Sequence, residues 1–334
     1  MKILALLGAA LSTVALAQNY PAKPIRLVTP YSPGGAGDWV ARTATDRIAQ
    51  ALGQPFVIEP RPGAGGNIAA ESVVRASADG YTLLFATPLL AINATLYRKL
   101  SFDAARDLVP VGVIATGPYV LYATGSLPVK NAGELVAMAK QKPGSINYAS
   151  LGIGTGPHLG GVLLGLMGGA EFTHVPYKGF GQALPDLASG QVHFSLNGIG
   201  VADAFLKDGR VRMLGFTSLT RMKEYPDVPT VSETVPGYEV LGWYGFAAPA
   251  ATPRPVIERL NAELARVTTS PEFAAQLEKR GLIPQSFSLA ETREFVARDA
   301  ERWGRAVKAS GRRFSPGLLR AQANNRARAL SSTQ

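Results

Sequence analysis

No cysteine occurs in the 334 residues, which excludes disulfides, cysteine-ligated zinc, iron–sulfur clusters and thiol nucleophiles together. Three histidines are too few for ordinary metal chemistry, so neither a metal nor a cofactor is expected. The nucleotide motifs are missing too. A G-x-G-x-x-G beginning at Gly152 meets Pro157 where its last glycine belongs, one beginning at Gly63 meets Ile68, and no P-loop occurs. There is no G-x-S-x-G, H-E-x-x-H or EF-hand loop, so the common hydrolase, metalloprotease and calcium-binding signatures are absent. Long apolar runs are lacking as well: Ile3 to Leu16 falls short of the roughly 20 residues a bilayer requires, and Val162 to Ala170 is shorter and broken by glycine.

What is present is an ordinary globular composition, 46% apolar and 17% charged, with length for two domains and a cleft between them. Met1-Lys2, the apolar stretch to Leu16 and the small-x-small triplet Ala15-Leu16-Ala17 read as a secretory signal cleaved after Ala17. A periplasmic mature protein is therefore expected. The formal charge of +10 is concentrated at the ends: without Lys2 and the five arginines from Arg312 onward, which meet no acid, it falls to +4. Residues 312–334 read as a disordered tail, and an exported protein meets no nucleic acid in its normal work.

Short β-branched runs alternate with helical patterns, which is the α/β signature. Strands are predicted at Ile25–Thr29, Phe56–Glu59 and Tyr81–Ala86, with helices at Asp38–Leu52 and Asn67–Ala76. A second series follows: a helix at Ala132–Gln141 and strands at Ile146–Ala149, Phe172–Pro176, Val192–Leu196 and Val211–Thr217. Two apolar stretches, Val109 to Ala123 and Tyr238 to Ala248, flank that series and are placed to be the crossings between domains. Residues 18–115 with 239–311 would form the first domain, and 116–238 the second. Helices at Pro253–Thr268, Pro271–Lys279 and Leu289–Ala309 would pack back on the first domain.

The most informative chemistry lies where strands turn into helices. The turn Tyr31-Ser32-Pro33-Gly34-Gly35 leads to Asp38, placed as the N-cap of the next helix; Gly154-Thr155-Gly156-Pro157-His158 is its counterpart in the second series. Each presents N–H groups at the positive end of a helix, which suits an anion, although either turn alone reads equally well as a tight connection without function. His158, His174 and His193 lie on separate elements, where a structural role is the common one, and His158 stands out because it adjoins Thr155. Tyr177-Lys178-Gly179, Asn197 and Asp203 occupy strand ends that line a cleft or simply face solvent. Trp243-Tyr244-Gly245 serves core packing or ligand contact equally.

Several segments together carry a family resemblance: Tyr20-Pro21 through Ile25, Pro33-Gly34-Gly35 with Asp38 and Arg42, and Pro60-Arg61-Pro62-Gly63-Ala64-Gly65-Gly66-Asn67. Gly80-Tyr81-Thr82-Leu83, Gly152 to Leu159, Val228-Pro229-Thr230 and Trp243-Tyr244-Gly245 continue it in the same order to about Gly311. The chain resembles the Bug-type (TctC-like) receptors, the extracytoplasmic substrate-binding proteins of tripartite tricarboxylate transporters. That resemblance implies a two-domain periplasmic-binding-protein fold, type II-like, with two crossover strands and a cleft that closes on a small carboxylate. It also implies ligand contacts at Tyr31, Ser32, Pro33, Gly34, Gly35 and Asp38 in the first turn, and at Gly154, Thr155 and His158 in the second. Thr87 and Tyr177 to Gly179 carry over more weakly, and at Thr87-Pro88 the chain departs from the smaller polar residues of the family.

The function implied is that of a monomeric solute receptor delivering a carboxylate to membrane permease subunits. Two other readings stay open: an exported α/β enzyme acting on a carboxylate or ester with His158 as base, and a sensory receptor feeding a membrane sensor kinase. A lone histidine with neither nucleophile nor orienting acid argues against the enzyme.

Overall fold

The computed structural model describes residues 20–311, apart from 32, 34, 35, 98, 151, 178, 179 and 310. The expected leader 1–17, the tail 312–334 and the site candidates Ser32, Gly34, Gly35, Lys178 and Gly179 lie outside the described residues. In chain order come β1 (Ile25–Thr29), α1 (Ala36–Leu52), β2 (Phe56–Pro60), α2 (Asn67–Val74), β3 (Thr82–Ala86), α3 (Leu89–Leu96), α4 (Ala104–Asp107) and β4 (Leu108–Pro118). Next are β5 (Val120–Thr124), α5 (Ala132–Gln141), β6 (Ile146–Ser150), α6 (Gly156–Gly168), β7 (Phe172–Pro176), α7 (Phe180–Ser189), β8 (Phe194–Asn197), α8 (Asp203–Lys207) and β9 (Val211–Phe216). The chain ends with β10 (Leu241–Pro249), α9 (Arg254–Thr268), α10 (Pro271–Glu278), β11 (Ile283–Pro284) and α11 (Leu289–Ala309).

Among the described residues the strands form two mixed sheets, one of six in the order β11-β4-β10-β3-β1-β2 and one of five in the order β7-β6-β8-β5-β9. β1 runs parallel to β2 and β3, as crossover connections through helices require, while β10 enters antiparallel to both β3 and β4. The chain passes from the first sheet to the second at Tyr119, between β4 and β5, and returns through Val240 into β10. The stretch Val109 to Ala123 is thus two strands rather than one, broken at Tyr119, whose N–H leaves the ladder for a side chain. Thr217, fully buried, ties the two passages together. Its Oγ1 accepts the Tyr119 N–H at 2.8 Å and donates to the Val240 carbonyl at 2.5 Å.

Local sequence explains most element ends. α1 buries Val40, Ala41, Ala44 and Ile48, one stripe at helical spacing, against Leu27, Phe85 and Phe246 of the first sheet. Asn131 caps α5 by accepting the Glu134 N–H at 2.9 Å, and Glu134 reaches back to the Lys130 N–H at 2.7 Å.

One expectation about packing needs correction. The last helix does not pack on the first sheet alone: Trp303, Ala306 and Val307 join the core beneath the second sheet, together with Leu159, Leu164, and Ile92 and Leu96 of α3. A helix of 21 residues is about 31 Å long, enough to lie across both halves. α3, which begins just after Pro88, is not among the helices expected from sequence, and its Ile92 and Leu96 close the same contact.

Candidate functional site

The first turn is built from the end of β1. Thr29 Oγ1 accepts the Tyr31 N–H at 3.2 Å, and the Tyr31 ring meets Phe85 edge-on at 6.3 Å. Phe85 in turn stacks on Tyr244 at 5.6 Å, which places residues of β1, β3 and β10 side by side. Thr87, only 2% exposed, accepts the Leu89 N–H at 3.4 Å and hydrogen-bonds the Tyr31 side chain; burial raises the Tyr31 phenol and that bond partly offsets the rise. Pro33 is exposed. Asp38 lies in the first turn of α1 instead of at its N-cap, since the helix begins at Ala36. Arg42, one turn on, donates Nε to both carboxylate oxygens at 3.1 and 3.0 Å, and an acid inside the first turn meets the positive helix end as well as one at the cap.

The second turn leaves β6 at Ser150. Thr155 is the N-cap of α6, accepting the His158 N–H at 3.4 Å while donating its own hydroxyl to the Gly152 carbonyl at 2.7 Å. His158 is 1% exposed and lies beneath the turn, where its Nδ1 accepts the Gly154 N–H at 3.2 Å. Its ring packs on His174 with centroids 4.2 Å apart, and His174 Nε2 lies 2.6 Å from the Ser150 hydroxyl. The expectation of freely presented N–H groups therefore needs amendment. Those of Gly152, Gly154 and Thr155 are taken inside the turn, because a φ of +82° at Gly154 folds its N–H back onto the imidazole. Among the described residues, the turn's N–H groups without an acceptor are those of Ile153 and Gly156.

Gly156 opens toward the crossing. A Cβ there would stand 2.6 Å from the Tyr119 hydroxyl, and one on Gly242 of β10 would stand 3.2 Å from the same oxygen. Tyr119 is thus wedged between the start of α6 and the start of β10. Burial holds the Tyr119 and Tyr244 phenols far above their ordinary range, with Tyr31 adding to both, so the three hydroxyls are neutral donors at any working pH. Asn197, at the end of β8, is 7% exposed; its Oδ1 accepts the Gly198 N–H at 3.2 Å, and its buried Nδ2 has no hydrogen-bond partner among the described residues. The two halves touch on either side of the crossing. Leu96 Cδ2 lies 2.5 Å from where a Gly154 Cβ would sit, and Ile199 packs against Gly281.

The other predicted residues are placed differently. Tyr177 spends its hydroxyl on Asp186 Oδ2 at 2.6 Å, and its N–H on the Ser150 carbonyl at 2.9 Å. Asp203 is exposed at the start of the five-residue α8. Of the Trp243-Tyr244 pair, Trp243 is core, 3% exposed and bonded to Asp299, while Tyr244 joins the tyrosine cluster. Sequence reasoning missed Tyr119, whose place at the break between two apolar strands was the available signal, and the Ser150–His174 brace, which had none. Among the described residues no group of three His, Asp or Glu is placed to hold a metal.

The profile of the tripartite tricarboxylate transporter family receptor matches residues 40–312. The chain belongs to that family. It is 31% identical to protein BugT of Bordetella pertussis over 318 residues, covering 93% of this chain and 98% of that one. Among solved structures it is similar to R. palustris Rpa4515 with adipate, at 36% identity and a TM-score of 0.76 over 88% of this chain and 99% of that one. MatC from Rhodopseudomonas palustris with bound malate is similar at 31% identity and a TM-score of 0.73, covering 86% of this chain and all of that one. This TctC-type receptor accordingly has the two-sheet α/β periplasmic-binding-protein fold and serves as a solute receptor, which is not an enzyme class.

Proposed function

We propose that this receptor binds a small organic carboxylate between the two sheets, in the periplasm, and hands it to the permease subunits of a tripartite transporter. No bond is made or broken in the process. The observation that carries the reading is the uncharged donor set at the crossing: the Gly156 and Ile153 N–H groups at the start of α6, the Tyr119 and Tyr244 hydroxyls and the Asn197 amide. Such donors hold an anion through dipoles and a helix end, with no buried cation to desolvate. The adipate held by Rpa4515 and the malate bound by MatC support the ligand class.

In this reading residues 18–115 with 239–311 form one domain and 116–238 the other, hinged at Tyr119 and Val240, with the leader removed after Ala17. Tyr31, Thr87, Asn197 and the start of α6 touch the ligand. Asp38, Thr155, His158 and Tyr177 hold the walls in shape, and Ser32, Pro33, Gly34, Gly35, Lys178 and Gly179 stay ligand contacts on the family resemblance alone. A thermal-shift screen of mono-, di- and tricarboxylates, followed by calorimetry, tests it. One dicarboxylate binding with a Kd near 1 μM, equivalent to about 8 kcal/mol, is the expected result, together with a smaller radius of gyration on saturation. Absence of binding by every carboxylate, or turnover of one, overturns it.

A further inference from the structure

A second cavity lies away from the crossing. It measures about 460 Å³ and sits on the face of the first sheet between α3, α4 and α11, within the range of small-molecule sites. Its floor comprises Val113, Trp243, Phe246 and Ala247 of β4 and β10, and because Trp243 and Tyr244 are neighbours in β10 they face opposite sides of the sheet, Trp243 toward the cavity and Tyr244 toward the tyrosine cluster. The helices that wall it present small residues, among them Ala91, Ala94, Ala104, Ala297 and Ala300, where larger ones would close the space. The room is therefore written into the sequence.

Two polar features break the apolar lining. Thr292, in the first turn of α11, lines the cavity and is 1% exposed, and its buried hydroxyl has no hydrogen-bond partner among the described residues. Such a group carries a desolvation cost that a ligand oxygen would relieve. Arg293, the next residue, also lines the cavity, is exposed and forms no ion pair among the described residues, whereas Arg106, a further lining residue, is engaged by Asp107 at 2.7 Å. We infer that this cavity is a second binding site, separate from the crossing, for an amphipathic monoanion whose apolar body lies on the sheet and whose carboxylate meets Arg293 and the Thr292 hydroxyl. A long-chain monocarboxylate has that chemistry.

The probe is decanoate, titrated into the mature full chain by calorimetry. One molecule is expected to bind the wild type, and the same affinity is expected in Gly156→Val, which alters the crossing only. Ala297→Phe, at an exposed wall position that tolerates a ring, should weaken binding more than about tenfold by filling the cavity. Arg293→Glu should weaken it about tenfold in a salt-dependent manner. Thr292→Val, which keeps side-chain shape, should weaken it several-fold with the fold retained, and serves if the phenylalanine variant does not fold. Failure of decanoate to bind the wild type overturns the proposal. So does binding that Gly156→Val abolishes while Ala297→Phe and Thr292→Val leave it intact, since the decanoate would then occupy the crossing.

Discussion

Replacing Asp299 by asparagine should remove a defined pH step from the stability of this receptor. Asp299, on α11, is 4% exposed and accepts the Trp243 Nε1–H at 2.7 Å, so it joins the last helix to the returning strand β10. Burial pushes its carboxyl up to about 6 from 3.8; Trp243 and the Arg302 guanidinium pull it down, and Glu239, itself paired with Arg302, pushes it up again. A folded-state value above the unfolded one means that folding disfavours the charged form. The penalty is absent below about pH 4, grows as the pH rises through the gap, and is complete above about 6. At 1.36 kcal/mol per unit the gap amounts to about 3 kcal/mol. An asparagine oxygen still accepts from Trp243 and carries no charge to desolvate. Urea unfolding of both proteins at pH 4, 5, 6 and 7 should therefore show the variant gaining about 2 to 3 kcal/mol on the wild type from the lowest to the highest pH. Taking the difference cancels every other titrating group. A difference flat within about 0.5 kcal/mol, or one that moves the opposite way, would show that Asp299 is charged in the native protein at no cost and refute the reasoning.

Three further outcomes follow from the geometry. Gly156→Val should displace the Tyr119 hydroxyl and cost at least a hundredfold in carboxylate affinity by calorimetry, with a melting temperature within a few degrees of wild type. Asn197→Ala should weaken binding about tenfold yet cost the apo protein under about 1 kcal/mol in denaturant unfolding, because its Nδ2 satisfies nothing in the protein. Thr217→Val keeps the side-chain shape but strands the Tyr119 N–H and the Val240 carbonyl, so it should destabilise by about 1 to 3 kcal/mol in the same assay and loosen the closed form seen by scattering.

The local chemistry of this chain is strongly one-sided, and that is why its elements were legible in sequence. Ile25–Thr29 and Phe172–Pro176 are runs that only a buried or half-buried strand explains, and Ala132–Gln141 lies between a capping Asn131 and a lysine-rich end. The two crossings were legible because a chain that leaves a sheet and returns needs two apolar stretches, and two were available, although the first is split into β4 and β5 at Tyr119. The absent enzyme, nucleotide and metal motifs left a receptor, an exported enzyme and a sensor as readings, and the ordered segments from Tyr20 to Gly311 narrowed the family. What sequence could not determine is which donors stay free. The five N–H groups from Gly152 to Gly156 compete for few acceptors, and only the folded geometry decides that His158 takes the one at Gly154 while Gly156 keeps its own. The long reach of α11 into the second core, the meeting of Tyr31, Tyr119 and Tyr244 from distant segments, and the space left by the alanines of α3, α4 and α11 are likewise tertiary outcomes. Each depends on which surfaces face each other across the crossing, a relation between residues far apart in the chain that no local periodicity encodes.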